Sequence, residues 1–329
     1  MSNTKNISEQ IFKISSPTAF NDLAIEIFQF QYEGNPIYRQ FVNFQTDKPE
    51  SIKTIRDIPF LPIEFFKSHK IISGTEKEQQ IFLSSGTTGM DRSKHFVVDP
   101  KLYEESFTKG FQHFYGKPED YRIFALLPSY LERDGSSLIY MVKKLMEQTG
   151  DKQNDFFLDN YPELIHRLKS KSDKKTLLIG VSFALLELAE KYPFTFPSGT
   201  IIMETGGMKG RRKEMIREEL HEELHKSFQL ENIHSEYGMT ELLSQAYSKG
   251  KGIFSTPPWM KIMIRDMNDP KSLLRNNKTG GINIIDLANI HSCSFIATMD
   301  LGRKLSDDEF EVLGRFDNSD IRGCNLMVV

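Results

Sequence analysis

The chain is poor in cysteine, with only Cys293 and Cys324 among 329 residues. Two thiols cannot build a disulfide framework, are too few for a structural zinc site by themselves, and fit a reducing cytoplasm. An uninterrupted apolar run of about 18 residues is lacking, and residues 1–12 contain no apolar signal-peptide core. These absences predict a cytoplasmic protein without membrane spans.

An excess of one charge sign is also lacking. The 42 Lys and Arg residues nearly balance the 45 Asp and Glu residues, giving a net charge of −3. Because no global basic field is present, a nucleic-acid partner is not predicted. The composition, 39% hydrophobic and 26% charged, is that of a folded globular protein.

Hydrophobic patterning divides the chain into regions. Residues 1–75 are predicted to form a helical N-terminal region, because Phe20, Leu23, Ile27 and Phe30 are spaced to share one helix face. From about residue 80, amphipathic segments alternate with short apolar runs typical of buried strands, at 122–127, 176–180, 200–203 and 281–285. This alternation predicts an α/β fold with mixed or parallel sheets and packed helices, forming a core over residues 76–313.

A loop rich in glycine and hydroxyl groups follows a short apolar segment. Residues 82–94 read F-L-S-S-G-T-T-G-M-D-R-S-K. Glycine lets the backbone approach an anion, hydroxyl and amide groups donate to phosphate oxygens, and lysine adds positive charge. The pattern predicts a phosphate-binding loop, although its composition also fits an ordinary turn. The Walker A spacing G-x-x-x-x-G-K-[ST] is absent.

The loop resembles S-S-G-T-T-G-x-P-K, the nucleotide loop of adenylate-forming enzymes such as acyl-CoA synthetases and luciferases. Asp91 and Arg92 stand where Pro-Lys is usual, so either Arg92 or Lys94 would meet the terminal phosphates. The resemblance implies ATP and Mg²⁺ as cofactors. It also implies nucleotide contacts from Ser84, Ser85, Gly86, Thr87, Thr88, Gly89 and Lys94.

Further segments occur in the order that this superfamily shows. Residues 235–241, S-E-Y-G-M-T-E, are similar to its Y-G-x-T-E motif. That similarity implies that Tyr237, followed by Gly238, stacks on adenine, that Thr240 contacts the α-phosphate, and that Glu241 binds Mg²⁺. Such a role suits a carboxylate, since Mg²⁺ prefers oxygen ligands. Without the resemblance, Glu241 would be an ordinary surface carboxylate.

Three more positions follow from the same resemblance. Gly206 and Gly207 resemble the segment whose backbone lies beside the adenine. Asp300, in T-M-D, resembles the aspartate that binds the ribose hydroxyls, with Met299 in place of the usual glycine. Arg315 opens G-R-F-D-N-S-D-I-R-G, which is similar to the hinge before the mobile C-terminal domain. Residues 314–329 are therefore expected to be a hinge-like tail, with that domain lacking.

Within the superfamily, the chain resembles the acyl-protein synthetases of the bacterial bioluminescence fatty acid reductase system. The likeness is carried by residues 58–67, 127–137 and 314–326. It implies activation of a long-chain fatty acid and its transfer to Cys324 as a thioester, with a reductase or acyltransferase as partner. A thiolate can capture an acyl-adenylate, because this mixed anhydride has a good leaving group. Two alternatives stay open: an acyl-CoA-type ligase, and a catalytically degenerate nucleotide- or acyl-binding subunit.

One competing metal motif lies in the charged segment 209–228. His221 and His225 form H-E-E-L-H, which matches the zinc pattern H-E-x-x-H. The surrounding helix is densely charged, however, and Glu218, Glu219, Glu222 and Glu223 are expected to form a solvated face. A metalloprotease is therefore disfavoured, and Cys293 is expected to pack in the core.

Overall fold

The computed structural model describes residues 2–85, 92–128, 134–207 and 215–316, with the side chains of residues 2–6 excepted. The helices are α1 (Ser2–Ile11), α2 (Pro17–Gly34), α3 (Pro36–Gln45), α4 (Phe65–Ser68), α5 (Pro100–Tyr115), α6 (Ser137–Thr149), α7 (Tyr161–Lys169), α8 (Ser182–Lys191) and α9 (Arg217–Phe228). The strands are β1 (Leu61–Pro62), β2 (Gln80–Leu83), β3 (Lys94–Val97), β4 (Tyr121–Leu126), β5 (Asp155–Phe157), β6 (Lys175–Val181), β7 (Thr200–Thr205), β8 (His234–Tyr237), β9 (Ala246–Ser248), β10 (Ile253–Ser255), β11 (Met260–Arg265), β12 (Thr279–Asp286), β13 (Phe295–Lys304) and β14 (Glu309–Arg315).

Two units contain these elements. The first unit is Met1–Ser106, Thr240–Ser244 and Ser255–Val329, and the second unit is Phe107–Met239 and Gln245–Phe254. The four strands predicted from apolar runs are confirmed as β4, β6, β7 and β12, with bounds that differ by at most two residues. Their apolar side chains are buried on both faces of a sheet, which is why they read as continuous hydrophobic runs.

The helices at the start of the first unit have clear capping signals. Ser16 accepts a hydrogen bond from the amide of Ala19 at 3.1 Å, and a proline follows in the first turn of α2. Phe20, Leu23 and Ile27 of α2 are buried and Phe30 is half-buried, which confirms that they share an inward face. Helices α1, α2 and α3 therefore occupy most of residues 2–45.

The sheet of the first unit is mainly antiparallel. Strands β11, β12, β13 and β14 follow one another as neighbours, and the short β1 pairs with β13 in parallel. Strands β2 and β3 form a separate antiparallel pair. Because β14 returns beside β13, Asp300 lies opposite Arg315.

The second unit contains a mostly parallel sheet in the order β9-β8-β7-β6-β4-β5, in which only β9 runs antiparallel to its neighbour. Helices connect the parallel strands, as in other α/β folds. Helix α9 buries Leu220, Leu224 and Phe228. Its four glutamates at 218, 219, 222 and 223 are exposed, which confirms the predicted solvated face.

Candidate active site

The base of the predicted phosphate loop is closed by hydrogen bonds. Leu83 lies opposite Lys94 in the β2–β3 pair, and the Ser84 amide donates to the Ser93 carbonyl at 3.0 Å. The Ser93 amide in turn donates to Ser84 Oγ at 2.9 Å. Arg92 Nε donates to the Ser84 carbonyl at 2.7 Å, whereas the Lys94 side chain is exposed. The loop therefore starts and ends at a hydrogen-bonded pair of strands.

Only part of the predicted loop can be placed. Ser84 and Ser85 are half-buried at its beginning. The remaining loop positions, Gly86, Thr87, Thr88 and Gly89, lie outside the described residues, and so does Asp91. Their roles in nucleotide binding stay predictions.

Glu241 is a buried carboxylate beside the end of this loop, with 6% of its surface exposed. Burial raises the pKa of Glu241, while a hydrogen bond from the Ser93 side chain and the positive charge of Arg315 act in the opposite direction. The nearby negative charge of Asp300 raises this pKa as well. The first unit thus brings together two carboxylates that the sequence separates by 59 positions, from 241 to 300.

Asp300 and Arg315 form an ion pair across β13 and β14. Arg315 Nε lies 3.2 Å from Asp300 Oδ1, and the arginine side chain is 72% exposed whereas the aspartate side chain is 8% exposed. The Asp300 amide donates to Thr298 Oγ1 at 3.1 Å. The pair therefore joins a buried carboxylate in the middle of β13 to an exposed cation on β14.

The peptide segment at Thr240 and Glu241 is held by side chains that sequence reasoning missed. His95 Nδ1 donates to the Thr240 carbonyl, with the two atoms 2.8 Å apart. Asn289 Nδ2 donates to the Glu241 carbonyl at 2.7 Å. Side chains alternate between the two faces of a strand, so a strand after the loop would place Ser93 and His95 on one face. The neighbouring sequence does not indicate what that face contacts.

Asp286 holds the residues that follow this segment. Its Oδ2 accepts from the amides of Leu243 and Ser244, both at 2.9 Å, and its Oδ1 accepts from Ser244 Oγ at 2.6 Å and from the Ala288 amide at 3.1 Å. The aspartate is fully buried, and burial raises its pKa to about 6 despite these four hydrogen bonds. The Asp286 carboxylate therefore holds the backbone at Leu243 and Ser244, just after Glu241.

The second unit contains the other predicted nucleotide-binding positions. Register pairs Thr205 with Glu236, so that Gly206 and Tyr237 both follow at the carboxyl ends of neighbouring parallel strands. Ligands of open α/β sheets bind at such edges. Gly206 has φ of +72°, which favours glycine, and its carbonyl accepts from Ser182 Oγ at 3.0 Å. Gly207, like Gly206, is exposed.

Tyr237 is the last residue of strand β8, and Gly238 follows it. The Tyr237 ring is 8% exposed and lies 5.8 Å from the Phe254 ring between centroids. A Cβ atom added at Gly238 would come within 2.4 Å of Glu236 Oε1, a distance that real Cβ atoms do not show. A side chain at position 238 would therefore force the Glu236 carboxylate to move.

The histidines of the H-E-E-L-H segment do not form a metal pair. His221 Nε2 lies 3.7 Å from Glu204 Oε1, and Arg217 Nε donates to the same oxygen at 3.0 Å. Burial opposes ionisation of Glu204, but hydrogen bonding to His221 and the charge of Arg217 outweigh it and lower its pKa. His225 is exposed. Of the two histidines, His221 therefore belongs to an ion-pair cluster with Glu204 and Arg217.

The two cysteines differ in what can be described. Cys293 is buried, its Sγ lies 3.4 Å from the Phe295 carbonyl, and burial raises its pKa to about 12. It is a core residue, as predicted. Cys324 lies outside the described residues.

The donor set fits a nucleotide and Mg²⁺. Among the described residues, no group of three or more His, Cys, Asp or Glu side chains could hold a metal ion alone. Mg²⁺ in nucleotide sites is usually bound by one or two carboxylates together with phosphate oxygens. Glu241 can supply such a carboxylate, and a neighbouring cation would offset the raised pKa that burial causes. At the base of the loop, Ser84 and Ser93 supply hydroxyl groups and Arg92 and Lys94 supply positive charge.

No protein-family model and no curated protein matches the chain. Solved structures do. ATP-bound MatB from Rhodopseudomonas palustris matches 71% of this chain with a TM-score of 0.55 and 15% identity, and the chain spans 47% of MatB, about half its length. O-succinylbenzoate coenzyme A synthetase (MenE) from Bacillus subtilis, in complex with ATP and magnesium, matches 71% of this chain and 49% of its own, with a TM-score of 0.51 and 18% identity.

2-Hydroxyisobutyryl-CoA ligase in complex with 2-HIB-AMP and CoA matches over a longer stretch. The match covers 93% of this chain and 72% of the ligase, with a TM-score of 0.64 and 11% identity. The chain has the α/β fold of the N-terminal domain of adenylate-forming enzymes, and the predicted fold class is confirmed. Among the helices in the described part of the chain, none combines the length and apolar character needed to cross a bilayer.

Proposed function

We propose that the protein uses ATP to activate a carboxylic acid as an acyl-adenylate, with release of pyrophosphate. The observation that supports this most directly is the position of Glu241. This buried carboxylate lies beside Ser93, at the end of a hydroxyl-rich loop, and within the electrostatic reach of the Asp300–Arg315 pair. The proposal is in keeping with a fold that this chain shares with ATP-bound and adenylate-bound ligases.

The roles of the residues follow from their chemistry. In the reaction, an oxygen of the substrate carboxylate attacks the α-phosphorus of ATP, and the bond to pyrophosphate breaks. Thr240 and the loop from Ser84 to Lys94 would donate to phosphate oxygens, and Tyr237 would stack on adenine beside Gly206 and Gly207. Glu241 would hold Mg²⁺, which when bound offsets the charge of the leaving pyrophosphate.

The Asp300 carboxylate is suited to binding the ribose hydroxyls of ATP. An ionised carboxylate only accepts hydrogen bonds, and two ribose hydroxyls are donors that match it. Arg315 Nε lies 3.2 Å from Asp300 Oδ1 and can hold this carboxylate in place. It therefore acts on the nucleotide mainly through Asp300.

The acyl acceptor that we propose is Cys324, with a long-chain fatty acid as substrate. The Cys324 thiolate would attack the acyl carbon, the bond to the AMP oxygen would break, and AMP would leave while a thioester forms. Arg322 is a neighbour in sequence whose positive charge favours the thiolate. The thioester would then pass to a reductase or another acceptor.

The test measures two reactions. Labelled pyrophosphate should exchange into ATP only when fatty acid and Mg²⁺ are present, and Glu241→Gln should lower that rate about 100-fold, as expected for losing one electrostatic partner of a transition state. Incubation with ATP and fatty acid should also yield a hydroxylamine-labile acyl-protein. That product should be lost in Cys324→Ser and kept in the control Cys293→Ala. Labile acylation of Cys324→Ser would show that the carrier is a different residue.

A coenzyme A ligase is the second candidate, because MenE and 2-hydroxyisobutyryl-CoA ligase share the fold. In that case the isolated protein would form free acyl-CoA, and Cys324→Ser would leave its rate unchanged. A catalytically degenerate subunit would bind ATP and show no exchange with any acid. The same pair of assays therefore separates all three functions.

A further inference from the structure

Strand β3 makes two contacts with the segment that carries Thr240 and Glu241. Ser93, just before the strand, and His95, inside it, are 3% and 1% exposed, whereas Lys94 between them points outward. Side chains two residues apart on a strand leave the same face. The Ser93 hydroxyl donates to the Glu241 side chain, and His95 Nδ1 lies 2.8 Å from the Thr240 carbonyl.

His95 is itself held from two sides. Its Nε2 lies 3.0 Å from Ser292 Oγ, and the edge of its ring meets Phe66 at 5.7 Å between centroids with an interplanar angle of 89°. Burial lowers the pKa of His95 to about 4, so the ring is neutral near pH 7. In this state Nδ1 donates to Thr240 and Nε2 accepts from the Ser292 hydroxyl.

A neutral donor is well suited to this position. It satisfies the Thr240 carbonyl without placing a positive charge next to Glu241, so the carboxylate stays available to a metal cation. A charged lysine or arginine at the same place would compete for Glu241. The contact joins residues that are 145 positions apart, and thereby ties the strand after the phosphate loop to the predicted catalytic segment.

We propose that His95 is a positioning residue of the adenylation site, whose Nδ1–H sets the position of Thr240 and Glu241 relative to the strand that follows the phosphate loop. The inference rests on the proposed function, and it gives His95 a role that is distinct from catalysis. Because His95 is only 1% exposed, direct contact with a nucleotide or an acid is not part of the role that we propose. His95 acts through the Thr240 carbonyl.

Two substitutions distinguish the contributions of the two ring nitrogens of His95. Asparagine reproduces the position of Nδ1, so His95→Asn keeps a donor for Thr240 and loses the Ser292 contact. Glutamine reproduces the position of Nε2, so His95→Gln keeps a partner for Ser292 and loses the Thr240 contact. Ser292→Ala is the matched control, because it removes the Nε2 partner and leaves the contact with Thr240.

The readouts are the kcat of pyrophosphate exchange and the gain in ATP affinity that Mg²⁺ causes, measured by calorimetry. We expect His95→Gln to lower kcat about 10- to 100-fold, the usual cost of losing a residue that orients a metal ligand. It should also lose most of the Mg²⁺-dependent gain in affinity. His95→Asn and Ser292→Ala should stay within about threefold of the wild type, the effect of one neutral hydrogen bond.

Thermal unfolding distinguishes positioning from stability. The inference requires that His95→Gln and His95→Asn unfold at similar temperatures while their kcat values differ. Equal kcat values for the two variants, or losses that follow the unfolding temperature, would overturn it. If wild-type protein binds ATP with no effect of Mg²⁺, or does not bind ATP, the proposed function fails first and the inference with it.

Discussion

Replacement of Asp286 by asparagine tests how the buried carboxylate below the candidate site is stabilised. Asp286 has no exposed surface and accepts four hydrogen bonds from Leu243, Ser244 and Ala288. Asparagine has nearly the same shape, but it has one side-chain oxygen and one NH₂ group, so it cannot accept hydrogen bonds at both positions. In either orientation of its amide, at least one backbone N–H loses its acceptor, at a cost of about 1 to 3 kcal/mol. That cost does not depend on pH.

The effect of charge does depend on pH. Burial raises the pKa of Asp286 from the ordinary 3.8 to about 6 in the folded protein. Between these values the folded state binds more protons than the unfolded state, so the free energy of unfolding falls as pH rises. The displacement corresponds to about 3 kcal/mol. Asparagine does not titrate, so the difference in unfolding free energy, wild type minus Asp286→Asn, should fall by up to about 3 kcal/mol between about pH 4 and pH 7.

Trp259 provides the assay. It is the single tryptophan, it is 4% exposed, and its Nε1 donates to Ser244 Oγ at 3.0 Å, the hydroxyl that also binds Asp286. Its fluorescence during urea unfolding gives the free energy of each protein at each pH. His95, whose pKa is lowered, titrates with the opposite sign but is present in both proteins and cancels. A difference that grows with pH would refute the reasoning, because the hydrogen bonds would then outweigh desolvation.

Two further predictions concern ATP affinity and stability. Arg315→Met should weaken ATP binding, because it removes the 3.2 Å contact with Asp300. The unfolding temperature should stay unchanged, because the arginine is largely exposed. Arg303→Met, the matched control in the neighbouring part of the sheet, should leave ATP affinity intact, and calorimetry measures both affinities. Gly238→Ala should displace the Glu236 carboxylate, because Glu236 Oε1 would lie 2.4 Å from the new Cβ atom. We expect the unfolding free energy to fall by about 1 to 3 kcal/mol. An unchanged urea midpoint would contradict the close approach.

Sequence reasoning was most successful where a pattern is local. Strands β4 and β6 are buried along nearly their whole length, so their apolar runs are visible without any knowledge of their neighbours. Strand β14 has mixed exposure and is defined by its pairing with β13, which no local pattern predicts. Continuous burial, rather than parallel or antiparallel pairing, therefore decided which strands could be predicted, since the antiparallel β12 is buried at seven of its eight positions and was predicted as well.

The same limit applies to the candidate site. Motifs predicted Glu241 and Asp300 as site residues, and in the structure the charges of Asp300 and Arg315 both act on the pKa of Glu241. His95 and Asn289 were missed as supporting residues, because their contacts join positions that are 145 and 48 residues apart. Such partners are decided by tertiary packing, which leaves no spacing rule in the sequence.

The helices at the beginning of the chain have a consequence for anyone who shortens this protein. Gln31 on α2 donates to the carbonyls of Asn289 and Ile290, both at 3.0 Å, and Asn35 donates to the carbonyl of Ser292 at 3.1 Å. These carbonyls belong to the stretch that supplies Asn289 to Glu241. A version starting after α3 would leave buried acceptors without donors. The N-terminal helices therefore hold the stretch that contacts Glu241, and trimming them is expected to impair both folding and the proposed activity.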